Sequence, residues 1–115
     1  MTFDKSLLAG SSTMLILKLL DEQDMYGYQM IEELSRRSEH SFELKTGTLY
    51  PLLHGLERKE LITSYEKDEN TQRPRRYYHL THKGRRLLAE KRAQWDAYTR
   101  AVSLVMQGGV SFATA

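Results

Sequence analysis

The chain has 115 residues, 40% hydrophobic and 28% charged, which suits one folded domain with a modest core. It has no cysteine, which excludes disulfides, thiolate zinc sites and thiol chemistry, and no apolar run approaches the roughly 20 residues of a membrane span. The net charge of +2 is unevenly placed: eight basic residues face thirteen acidic ones up to Asn70, and nine face two from Thr71 onward, so the later part suits a polyanionic partner.

The opening MTFDKSLLAG lacks a basic region followed by a sustained apolar stretch, so no signal peptide is expected and the cytoplasm is the expected location. From about Lys5 to Glu22 the chain predicts a helix, nearly all apolar over Met14–Leu20 except for Lys18. Such a helix is buried on most sides, against its own domain and a second subunit. Gly10-Ser11-Ser12 weakens its first part, placing the regular start near Ser12. Gln23–Met25 is a polar break. Over Tyr26–Arg37, Tyr28, Ile31 and Leu34 recur three apart beside Met30, opposite Gln29, Glu32 and Glu33. This is an amphipathic helix whose final Arg36 and Arg37 suit its C-terminal dipole. Ser38–Leu44 is a link with room for one very short strand at Phe42–Leu44.

Lys45–Lys59, KTGTLYPLLHGLERK, is the central stretch. Leu49, Leu52, Leu53 and Leu56 mark one buried face at helical spacing. Thr46 is the expected N-cap, with the helix starting at Gly47 or Thr48 and Pro51 within or just after the first turn. Its exposed front carries Lys45, Thr46, Thr48, Tyr50 and His54. These are donors and an aromatic edge, suited to base edges and phosphates in a DNA major groove. Taken alone, the stretch reads more readily as a core helix with a polar outer face, and its neighbours change that weighting.

Beyond Lys59 the period changes to two. Leu61–Lys67 sets Ile62, Ser64 and Glu66 against Thr63, Tyr65 and Lys67, and Arg75–Leu80 sets Tyr78 and Leu80 against Tyr77 and His79. Between them Asp68–Pro74 is turn-rich, with Asn70 suited to a left-handed conformation. The two strands form a hairpin. Its tip, Gln72 with Arg73, Pro74, Arg75 and Arg76, suits phosphate or a narrow minor groove; by itself it is also an ordinary solvated turn. Thr81 caps a final long helix, in which Trp95, Tyr98, Val102 and Val105 form a heptad-like seam. Too little of the domain remains to cover that stripe, so it predicts a dimerisation helix, ended by Gly108-Gly109.

The resulting fold class is mostly α with a β-hairpin. Residues 1–80 form a winged helix-turn-helix with an N-terminal helix, 81–107 a dimerisation helix packed on it, and 108–115 a disordered tail. Catalysis finds no constellation. His40, His54, His79 and His82 lack ligand spacing, there is no Gly-rich phosphate loop, and Ser11-Ser12 has no activating base in sequence reach. No enzyme activity, metal or cofactor is expected. Trp95, the single tryptophan, reads as a packed interface aromatic or as a stacking surface for a flat effector between subunits.

YGYQMIEEL (Tyr26–Leu34), GTLYPLLHGLE (Gly47–Glu57) and RPRRYYHLTHKGRRLL (Arg73–Leu88), in this order and spacing, resemble the PadR family of bacterial transcriptional regulators, in particular its small members with one C-terminal helix. The resemblance spans nearly all of Leu7–Met106. It implies a winged-helix homodimer, usually a repressor, on double-stranded DNA with an inverted-repeat operator. It implies DNA contacts by Lys45, Thr46, Thr48, Tyr50, Arg73, Arg75 and Arg76, with Tyr26 and Tyr28 near the backbone. Some members hold flat aromatic or phenolic ligands between the dimer helices, which implies an effector region at Trp95 with Met14, Lys18 and Thr99. Gly55 stands where the family usually has Arg, Glu60 replaces the usual helix-ending Gly, and Lys91 and Arg92 flank Trp95. The remaining alternative is a winged-helix protein-interaction module that does not bind DNA.

Overall fold

The computed structural model describes residues 3–68 and 73–110. The elements run α1 (Lys5–Glu22), β1 (Met25–Tyr26), α2 (Gly27–Arg37), α3 (Thr46–Arg58), β2 (Ile62–Lys67), β3 (Arg75–Leu80) and α4 (His82–Met106). The order and type of the four helices and the hairpin are those the periodicity predicts. Asn70 and Gln72 of the hairpin turn, and most of the tail, lie outside the described residues.

α1 is regular from Lys5, seven residues earlier than Gly10-Ser11-Ser12 suggested. The serines do not interrupt it because their hydroxyls bond back into the helix, Ser11 to the carbonyls of Leu7 and Leu8 and Ser12 to that of Ala9. The short strand expected at Phe42–Leu44 does not form. The third strand is instead β1, formed by the last residue of the expected polar break and by Tyr26, the expected first residue of the second helix, and it gives a sheet of order β1-β3-β2. Met25 pairs with Tyr78 and Tyr26 with Tyr77, which ties the α1–α2 junction to the hairpin. In the hairpin Ile62 pairs with Leu80, Ser64 with Tyr78 and Lys67 with Arg75.

That register puts Ile62, Ser64, Tyr78 and Leu80 on the face toward the helices. Ile62, Tyr78 and Leu80 join Ile16, Leu17, Met30, Leu49 and Leu53 in one core. Leu49 and Leu53 have no exposed surface, so truncating either to Ala costs about 2–5 kcal/mol. Tyr77, on the other face, is buried too. It lies between Tyr26, edge-on at 5.4 Å, and Tyr65, stacked at 5.8 Å.

α3 begins one residue before the expected start. Lys45 is its N-cap, and its carbonyl accepts from the N–H groups of Thr48 and Leu49, so Thr46 is the first helical residue and caps nothing. Pro51 therefore falls in the second turn. The bond it cannot make is to the Gly47 carbonyl; both residues are exposed, so solvent can take that acceptor.

The end of α3 is resolved by Glu60, which takes the left-handed conformation at φ 61°. Its N–H bonds to the Glu57 carbonyl at 2.9 Å, and the Leu61 N–H to the Leu56 carbonyl at 3.0 Å. This is a Schellman closure with a carboxylate residue at the place that favours glycine. Glu60→Gly is expected to stabilise the fold by about 1 kcal/mol. Urea titration checks it: the midpoint should rise at unchanged slope, and a fall would mean the Glu60 side chain itself holds the turn.

α1 and α2 are joined at one end by Arg37, which pairs with both Glu22 and Glu33. Hydrogen bonds from Arg36 and Arg37 hold the Glu33 carboxyl at a pKa of about 2. α4 starts as predicted, with Thr81 Oγ1 accepting from the Gly84 N–H at 3.0 Å. Its first half packs on α1 and its second half overhangs. Trp95, Tyr98, Val102 and Val105 are all exposed.

Candidate nucleic-acid interface

At roughly 100° per residue, the α3 leucines leave an outward stripe of Gly47, Pro51, His54 and Arg58. Thr48 and Tyr50 flank it on opposite sides, about 160° apart about the helix axis. Thr46, Thr48 and His54 are exposed and Tyr50 is half-buried.

The Tyr50 side meets α2 and the hairpin. Tyr26, Tyr28 and Tyr50 line a groove of about 560 Å³ together with Arg73, Pro74, Arg75 and Arg76. Four tyrosines, with Tyr78 of β3 the fourth, and three arginines from β1, α2, α3 and the hairpin therefore share one concave surface, with Glu32 the one carboxylate in its wall. Gly27 makes this possible. It is buried, and a Cβ there would lie 2.4 Å from Tyr50 Oη. The hydroxyl end of the Tyr50 ring reaches the first turn of α2 only because that position has no side chain. The turn itself is fastened by Gln29, whose Oε1 accepts from the Tyr26 N–H at 3.3 Å.

The Thr48 side faces α1. Lys45 and Thr48 border a recess of about 390 Å³ with Lys5, Leu8 and Glu43. Lys5 brings a further ammonium to the α3 front. Sequence spacing offered no sign of it, because α1 is forty residues away along the chain.

The two adjacent hairpin arginines point to opposite faces of the sheet, as strand alternation requires. Arg75 lies over the Tyr26 ring, 4.5 Å from its centroid, a cation–π contact that fixes both groups. Arg76 donates through Nε to Ser64 Oγ at 3.0 Å. At the other end of the outer face, Asp24 joins the hairpin to β1. Tyr65 Oη donates to it at 2.6 Å, and His79 Nδ1 lies 2.8 Å from its other oxygen. Partial burial pushes the Asp24 carboxyl up, but the bonds from Tyr65 and His79 outweigh that, and its pKa falls below the ordinary value. Among the described residues no group of His, Asp and Glu is arranged to hold a metal ion. His54 stands alone on the outer stripe.

A second concavity, of about 400 Å³, lies between α1 and α4, lined by Leu7, Gly10, Met14, Lys91, Trp95 and Tyr98 with Ser6 and Gln94. It unites Met14 and Trp95. Lys18 and Thr99 do not line it: Lys18 is exposed further along α1, and the Thr99 hydroxyl is turned to the carbonyls of Trp95 and Asp96 in its own helix. No described helix is long and apolar enough to cross a membrane.

The sequence pattern of the PadR-like transcriptional regulator family matches residues 16–90. An uncharacterized protein of Lysinibacillus sphaericus is 35% identical over 89% of this chain and 94% of its own length. A transcriptional regulator of Mycobacterium tuberculosis is 36% identical over 76% of this chain and 78% of its own length. Among solved structures, a PadR family transcriptional regulator from Eggerthella lenta superposes with a TM-score of 0.80 at 32% identity, covering 90% of this chain and 88% of that one. A PadR-like regulator from Bacillus cereus gives 0.80 at 28% identity, covering 91% and 100%.

Proposed function

This chain belongs to the PadR-like family of DNA-binding transcriptional regulators, and from that premise we propose that it acts as a homodimeric repressor on an inverted-repeat operator. The observation that carries the reading is the shared groove: Tyr26, Tyr28 and Tyr50 lie beside Arg73, Arg75 and Arg76. Hydroxyl and guanidinium donors on one concave surface suit the phosphates beside a major groove entered by α3. The outward stripe of α3 is free of carboxylates, and Lys45, Thr46, Thr48 and His54 supply donors at its front and middle. In a dimer the two α3 helices would enter successive major grooves about 34 Å apart. The family's dimerising habit supports this, as does the apolar overhang of α4. The recess at Met14 and Trp95 supports an aromatic effector at the same seam, with Lys91 as the cation in its wall. Lys18 and Thr99 would join it only after rearrangement on ligand binding.

The main test is selection of bound sequences from random duplex DNA, which should yield a two-fold symmetric site. Arg75→Ala is expected to weaken binding to every sequence and to reduce the salt slope by about one. Thr48→Ala is expected mainly to relax sequence preference at one position per half-site. Equal effects of both substitutions on all sequences would refute the assigned roles. Absence of any salt-dependent duplex affinity would favour the protein-interaction module instead.

A further inference from the structure

The groove arginines are not held alike. Arg75 rests on an aromatic ring, whereas Arg76 is reached from α3 through a serine. Ser64 lies on β2, on the sheet face toward α3, diagonally across from Arg76 on β3. Its hydroxyl donates to Glu57 Oε2 at 2.9 Å and accepts from Arg76 Nε at 3.0 Å. A serine hydroxyl has one proton and two lone pairs. The Glu57 carboxylate can only accept, so it claims the proton and leaves a lone pair for Arg76. Reversing the hydroxyl would set its proton against the guanidinium N–H and leave the half-buried carboxylate without its donor. The direction of the relay is therefore fixed by charge.

Glu57 does not neutralise Arg76. Among the described residues no carboxylate pairs with that guanidinium, and the Nε bond leaves its terminal N–H groups uncommitted. Arg76 borders the groove with Tyr28 and Tyr50. An exposed arginine loses considerable rotamer freedom on fixing a phosphate, and a side chain already anchored at Nε loses less.

We propose that Glu57 is a positioning residue for DNA binding: through Ser64 it holds the Arg76 guanidinium at the groove edge, so that helix α3 and the hairpin present their donors to the duplex in fixed register. The proposal rests on the DNA-binding reading above and adds to it a link between the two contacting elements. Glu57 itself touches no DNA.

The test has two arms. In the free protein, nitrogen-15 NMR of the Arg76 Nε–H should show slowed proton exchange, and Ser64→Ala should release it. With a duplex of random sequence, Ser64→Ala should weaken binding about fivefold, in line with one ordinary hydrogen bond. Glu57→Gln should weaken it in the same sense. Ser64→Thr, which keeps the hydroxyl, should restore wild-type affinity. The Ser64→Ala loss should vanish in an Arg76→Gln background, which a general structural effect would not do. Rapid Nε–H exchange in the wild type, or an equal Ser64→Ala loss in both backgrounds, would overturn the relay. Slowed exchange with no duplex binding by the wild type would overturn the DNA-binding reading, and with it the use proposed for the relay.

Discussion

Gly84→Ala is expected to destabilise the protein by about 3 kcal/mol or more, enough to lower its melting temperature by roughly 10 °C or to prevent folding. Gly84 sits in the first turn of α4, where the helix crosses the chain leaving α3. A Cβ there would lie 2.1 Å from the Leu61 carbonyl oxygen and 2.6 Å from Leu80 Cδ1. The carbonyl cannot withdraw, because Thr81 grips it from two sides. The Thr81 N–H donates to it at 3.2 Å, and the Thr81 hydroxyl lies within bonding distance of both the Leu61 and Glu60 carbonyls. The same hydroxyl accepts from the Gly84 N–H. One methyl group would thus separate the hairpin from α4 and break the cap together. Thr81→Ala removes the cap without the collision, and should cost only about 1–2 kcal/mol. Thermal and urea denaturation of the two variants decide the matter. A Gly84→Ala protein within about 0.5 kcal/mol of the wild type would show that the helix and the Leu61 carbonyl can separate at little cost, since ordinary surface changes fall in that range.

The second large effect concerns α4 beyond Leu88. If the proposed dimer forms by this seam, Tyr98→Glu combined with Val102→Glu is expected to turn it into a monomer and to lower affinity for the proposed two-half-site operator by about a hundredfold or more. Tyr98 is 64% exposed and Val102 43%, on a helix whose own domain leaves much of both uncovered. Two carboxylates placed in an apolar seam must be desolvated or must separate the helices. Analytical ultracentrifugation reads the mass, and a titration against one and two half-sites reads the affinity. The binding of a single half-site should change little, because α3 and the hairpin belong to each protomer alone. A variant that remained dimeric would place the interface elsewhere. In the wild type, thermal stability that rises with protein concentration would accompany dimerisation by this seam.

Much of this molecule could be read in its residues, and the places where reading failed have physical causes. The α3 leucines, the alternating hairpin and the Thr81 cap carry local signals, and each forms where the spacing predicts. α1 keeps the expected bounds, and the weakening its Gly-Ser-Ser run predicts does not occur: such a run breaks helices on average, whereas here the serine hydroxyls find acceptors inside the helix. A hydroxyl near a helix start usually caps it, which makes Thr46 the expected cap, but the chain turns one residue sooner, at Lys45. β1 carries no signal in the sequence because two residues show no period; only pairing with Tyr77 and Tyr78 makes them a strand. Arg73, Arg75 and Arg76 are legible as a basic cluster and Tyr50 as an aromatic on the exposed front of α3, whereas Tyr28, which its spacing with Ile31 and Leu34 assigns to the apolar face of α2, is exposed. That these residues line a common groove is not legible.

Composition, period and capping residues determined the kind and order of the elements, because those signals act between residues a few positions apart. The tertiary structure alone decided that Gly27 admits the Tyr50 ring, that Arg75 rests on Tyr26, and that Glu57 reaches Arg76 through Ser64. Such meetings depend on the angles at which whole helices and strands cross. Those angles are set by the packing of the core as a unit, and no short stretch of sequence carries them.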